Sequence, residues 1–181
     1  MDLDEFTAAN APKDGGDDFQ KENSKLLDIT VDDSVMVKAG SMVAYTGDLT
    51  FTGKSSAEGG ITGMVKEAVS SEGTPIMEAE GSGHLYVAEQ EKKVQVLSLD
   101  ADEGISVNGN AILAFESRVD YEIKTIGGLS EAAAGGLTNV HLSGPGTVTL
   151  TTHGDPLVAT PPITTDPDAT DPAESTQTAR E

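Results

Sequence analysis

Residues 79–88 read Ala-Glu-Gly-Ser-Gly-His-Leu-Tyr-Val-Ala, and residues 141–150 read His-Leu-Ser-Gly-Pro-Gly-Thr-Val-Thr-Leu. Each holds a Gly-x-Gly corner followed by a stretch of alternating side chains. Val37-Lys38-Ala39-Gly40-Ser41-Met42-Val43-Ala44-Tyr45 is a looser third version. Repetition of a corner-plus-strand unit predicts an all-β body built from pseudo-repeats. Gly40, Gly81, Gly83, Gly144 and Gly146 are expected as backbone corners, with Pro145 stiffening the last one.

Working outward, apolar and β-branched runs bounded by turn residues predict further strands. They fall at Leu26–Val31, Val35–Lys38, Met42–Tyr45, Leu49–Thr52, Pro75–Glu80, His84–Ala88 and Val94–Leu99. Asp32-Asp33-Ser34 and Thr46-Gly47-Asp48 read as turns between them. Ile105–Val107 and Ala111–Phe115 flank Asn108-Gly109, a strong hairpin signal. Val119, Tyr121 and Ile123 alternate with Asp120, Glu122 and Lys124, which predicts a strand with one wet face. Thr138–Leu142 and Val148–Thr152 complete the second unit. Ile61, Met64, Val65 and Val69 lie at helical spacing and predict one short helix. A further helical turn is expected at Glu131–Ala134. Three segments follow: an acidic flexible arm at 1–23, a β-sandwich domain at 24–165, and a disordered acidic tail at 166–181.

The chain has 181 residues, with 31 acidic and 11 basic side chains and a net charge of −20. The arm and the tail carry part of the excess, yet the body still holds 18 acids against eight bases. Acidity this general describes the solvent the surface meets rather than a site. It predicts a salt-rich cytoplasm, where ions screen the self-repulsion. It also opposes nucleic-acid binding, since Lys92-Lys93 is the nearest thing to a basic stripe. The Met1–Phe6 start lacks the apolar run of a secretion signal. Without cysteine, disulfides and thiolate chemistry are excluded.

Chemistry-bearing residues are sparse. His84, His141 and His153 are the weak metal candidates, His84 and His141 because they sit near equivalent corners and His153 because Asp155 follows it. A ligand or metal module at the repeat corners is the second functional reading. Surface or strand histidines bonded to turns are the simpler one, so no metal or cofactor is expected. Ser82 lies between two glycines but lacks the five-residue nucleophile elbow. Asp100, Asp102 and Glu103 read as a solvated turn rather than a glycosidase pair. Gly59-Gly60-Ile61-Thr62-Gly63 lacks the strand–helix setting of a phosphate cradle. No catalytic constellation emerges, and the expectation is a non-enzyme.

Several stretches together resemble the altered inheritance of mitochondria 24 family, also described as mitochondrial-biogenesis proteins. They are Lys38–Gly47, Gly81–Ala88, Leu113-Ala114-Phe115, Leu142–Gly146 and Thr152–Pro156, in register over roughly residues 24–168. The acidic style resembles a haloarchaeal branch. The resemblance implies a β-sandwich or prism similar to the tryptophan RNA-binding attenuation protein-like fold. It also implies a homo-oligomer, with a trimer as the expected number, and a structural or scaffolding role near a membrane without an integral segment. It supplies no catalytic residues. The family continues beyond its Asp-Pro-Asp-Ala equivalent with a Trp-bearing apolar strand. Here Asp166–Ala169 runs into polar sequence, so closing strands are expected to be absent.

Overall fold

The computed structural model describes residues 2–13, 15–53, 76–125 and 138–159. The helices expected at 61–69 and 131–134, the loop 59–63 and the tail 166–181 lie outside the described residues. One helix, α1 (Leu3–Ala9), precedes ten strands. These are β1 (Phe19–Lys21), β2 (Leu26–Lys38), β3 (Met42–Gly53), β4 (Ile76–Ala88) and β5 (Lys93–Leu99). Then come β6 (Gly104–Asn108), β7 (Ile112–Glu116), β8 (Asp120–Thr125), β9 (Thr138–Ser143) and β10 (Gly146–Thr152). All pairings are antiparallel, and the all-β class with one short described helix holds. A seven-stranded sheet runs β3-β4-β2-β7-β10-β5, with β1 also on β2; a three-stranded sheet runs β6-β9-β8.

The expected turns at 32–34 and 46–48 are not turns. Each lies inside an unbroken strand, as does Gly81–Gly83. The register explains why. Asp33 pairs Gly81, which pairs Leu49; Val31 pairs Gly83, which pairs Gly47. The three local breaks stack across three neighbouring strands as one line. Asp33, Gly47 and Gly81 all have positive φ there, at 104°, 92° and 129°.

Along that line the ribbon must fold over. Lys38 pairs Ile76 at one end of β4, whereas Met42 pairs Val87 near the other. Four residues reach at most about 14 Å. With two interstrand spacings of about 5 Å added, the reach is about 24 Å, but a straight strand from Ile76 to Val87 would span about 36 Å. Bending at Gly81–Gly83 resolves the mismatch. A Cβ at Gly81 would run into the Asp48 carbonyl, and one at Gly83 into the Thr46 carbonyl. The bend is therefore built where three backbones approach too closely for side chains.

Folding the large sheet gives it an inside. Leu27, Ile29, Val31, Val35, Val37, Leu49, Ala79, Leu85 and Val87 fill the inner face, with Phe19, Val94 and Leu113. A second core lies on the other face, between the two sheets. It holds Met36, Ile112, Phe115, Val119, Val140, Leu142, Val148 and Leu150. Strand β7 serves both. A bulge leaves Leu113 unpaired between Ala114 and Ile112. Ile112 and Phe115 therefore face the second core, and Leu113 and Ala114 the first. An Ile-Leu-Ala-Phe run without alternation is what a strand buried on both faces requires.

The expected Asn108–Gly109 hairpin is also corrected. β6 pairs β9, and β7 pairs β2 and β10. A 3-10 turn at Gly109–Ala111 joins them, with Asn108 Oδ1 accepting from the Asn110 N–H at 2.9 Å. The Asn-Gly step carries the chain between sheets, because each flanking strand finds a more apolar neighbour elsewhere.

Candidate functional site

The densest polar cluster sits where the folded ribbon closes. Lys38 ends β2 and Glu89 follows β4, and the two side chains form an ion pair. Lys92 Nζ donates to the same carboxylate at 3.1 Å, and Thr151 Oγ1 donates to its other oxygen at 2.8 Å. Lys38 also donates to the Asn110 carbonyl at 2.9 Å. Burial alone would raise the Glu89 pKa. The hydrogen bonds from Lys38, Thr151 and Lys92 outweigh it and hold the carboxyl below its ordinary value. Beside this cluster lies a cleft of about 190 Å³ lined by Lys38, Ala39, Gly40, Ser41, Ala88, Glu89 and Gln90. Gly40 makes the turn with φ +84°. The seam fastens β2, β4 and β10 together. Lys38 and Glu89 are 51 residues apart in sequence, so nothing in either one's local pattern points to the other.

His84 is half-exposed on β4. Its Nδ1 lies 3.1 Å from Oδ1 of Asp28, whose side chain is only 8% exposed. Tyr86 stacks on the imidazole at 6.4 Å between ring centroids. Burial pushes the Tyr86 hydroxyl pKa up, and the negative charges of Asp28 and Glu22 add to the shift. Asp28 orients the imidazole and leaves Nε2 toward solvent. The sequence offered His84 but not Asp28, which carries no mark in an apolar strand run.

His141 lies in the other sheet. It pairs in register with Ser106 on one side and Glu122 on the other, with Nδ1 3.0 Å from Ser106 Oγ. His153 is exposed beyond β10. The three histidines have separate partners on separate elements. Among the described residues, no group of three or more His, Cys, Asp or Glu could hold a metal ion. Ser82 occupies the bend of β4, with Asp32 and Asp48 beside it in register. Asp100 and Glu103 close the turn before β6: the Asp100 N–H donates to Glu103 Oε2 at 2.9 Å, and the Glu103 N–H to the Asp100 carbonyl at 3.0 Å. Gly144–Pro145–Gly146 links β9 to β10 through a cis Gly144–Pro145 peptide.

The remaining feature is apolar. β3 is an end strand of the large sheet, and its first half leaves Met42, Val43 and Tyr45 exposed at 41, 63 and 48%. Tyr45 also meets Phe51 edge-on at 5.1 Å. Three adjacent large apolar side chains at a sheet margin form a contact surface rather than scattered exposure. Among the described residues no helix is long and apolar enough to cross a membrane.

A family model described as Mitochondrial biogenesis AIM24 matches residues 18–169. Among solved structures, a crystal structure of a Streptococcus pyogenes protein is similar to this chain at 17% identity, over 74% of this chain and 91% of that one, with a TM-score of 0.30. That score carries no argument about the fold. No curated protein matches the chain.

Proposed function

The chain belongs to the Mitochondrial biogenesis AIM24 family, and from that premise we propose that it is a non-enzymatic scaffolding protein that works by self-association near a membrane surface. The observation that carries this reading is the exposed Met42–Val43–Tyr45 margin of β3. An apolar margin of this kind costs a monomer solubility and is repaid when it is covered. The polar clusters support the same reading. Glu89, Asp28 and Asp100 are engaged in fastening strands and turns, which is structural work. The net charge of −20 supports a salt-rich cytoplasm as the setting, because association of such chains needs their repulsion screened.

The test is the absolute mass of the full chain by light scattering after size exclusion, in molar KCl and in low salt. The expected result is a defined oligomer, a trimer by family likeness, that weakens as salt is removed. A monomer at every salt concentration would overturn the proposal.

A further inference from the structure

Two features of the molecule lack partners within it. One is the β3 margin. The other is α1, a seven-residue helix with no buried residue. Leu3 and Phe6 lie one turn apart on its surface and are 77 and 54% exposed. A helix this short is marginal in water unless its apolar stripe is covered. Its first turn is acidic, with Asp4 and Glu5 behind the Asp2 cap.

The surroundings of the β3 margin have the opposite charge balance from the chain as a whole. Met42 pairs Val87, and Leu26 pairs the next residue, Ala88. Lys25, just before Leu26, is exposed. Lys38 and Lys92 meet at Glu89, one residue beyond Ala88. The end of β4 thus gathers Lys25, Lys38 and Lys92 against Glu89 and Glu91, a local positive balance in a chain of net −20.

We infer that the Met42–Val43–Tyr45 margin, rimmed by Lys25, Lys38 and Lys92, receives the acidic amphipathic helix α1 of a second copy of this chain. The inference rests on the self-association proposed above and assigns its contact. Leu3 and Phe6 cover the apolar margin, and Asp4 and Glu5 face the lysine rim. The arm is tethered beside β1, where Lys13 donates its N–H to Glu22 and its Nζ to the Lys21 carbonyl. β1 and β3 lie on opposite sides of the β2–β4 pair, so each copy offers the helix and the margin at different places. Such a contact is head-to-tail and closes into a ring when the rotation permits.

The absence of cysteine from the chain makes the test direct. Full-length Phe6→Cys and Val43→Cys chains are mixed in molar KCl under mild oxidation. The mixed disulfide is expected at least about tenfold faster than between Phe6→Cys and Thr50→Cys, because docking raises the local thiol concentration. Light scattering should show Phe6→Glu and Val43→Glu each reducing the mass. Equal rates for the two cysteine pairs would overturn the inference. So would a Phe6→Cys/Val43→Cys double variant that closes only within its own chain. An oligomer unchanged by Phe6→Glu would sink this contact while leaving the scaffold reading intact; a monomeric wild type would sink both. Co-sedimentation with anionic phospholipid vesicles, abolished by Val43→Glu but not by Phe6→Glu, would reassign the margin to a membrane and overturn the second-copy contact.

Discussion

The two Gly-x-Gly segments look alike in sequence and do different work. Gly81–Ser82–Gly83 lies in the middle of β4 and bends it without interrupting its pairing on either side. Gly144–Pro145–Gly146 ends one strand and starts another, moving the chain from the small sheet to the large one. At the first, the crowding comes from the backbone of β3. At the second, Gly146 has φ +150°, and a Cβ there would meet the Glu116 carboxylate and a Val119 methyl at 2.7 Å. A local motif fixes what the backbone is permitted to do. Which neighbours surround it decides whether that permission becomes a bend or a crossing.

The comparison is open to measurement by denaturant unfolding in molar KCl. Gly81→Ala should give the largest loss, roughly 3 kcal/mol or more, since it adds backbone strain to a clash that cannot relax. Gly146→Ala should lose about 1–2 kcal/mol, because the groups it meets are side-chain ends. The reverse order would mean that the crossing, not the bend, is the rigid point.

Glu116→Ala probes the crossing from the other side. Glu116 Oε2 accepts the Thr147 N–H at 2.7 Å, and Arg118 holds the same carboxylate. Loss of that acceptor should cost about 2 kcal/mol, as a part-buried N–H is left unpaired. A neutral result would show that the strands position the crossing unaided.

Glu89 lies where the bend brings the ribbon ends together. Its folded pKa is below its ordinary value of 4.5. The group therefore adds stability above that value, and the contribution drains away as pH falls through the lowered folded pKa. Glu89→Gln should lower stability at neutral pH and flatten the acid limb of the stability curve. An unchanged limb would remove Glu89 from the closure.

The smallest effect has the opposite sign. Asp33 sits at φ 104° on the bend line, where a non-glycine residue is strained. Asp33→Gly should gain about 1 kcal/mol. A loss would mean that its side chain contributes more than its backbone costs.

Much of the fold is legible in particular residues. Val119 and Tyr121 with their polar neighbours announce a strand wet on one face, and Ile112–Phe115 announces one buried on both. The bend was visible only as three apparent turns, because Asp33, Gly47 and Gly81 are distant in sequence and become one feature through register. Asn108–Gly109 reads as a hairpin because turn residues specify a change of direction, not a destination. Of the candidate side chains, the histidines were visible by type. Asp28 and Glu89 were not, since an acid in an acidic chain carries no local sign of its partner.

The sequence by itself determined the class: β-branched and alternating runs with small residues at the breaks can bury their apolar faces only as sheets. It also determined the general acidity and the family likeness. The tertiary structure alone decided that three breaks align into a fold line, that Lys38 meets Glu89, and that Met42, Val43 and Tyr45 end on an open margin. The physical reason is range. Propensity and periodicity act over a few residues, while pairing register, ion pairing and exposure are set by segments that meet only once the chain has folded.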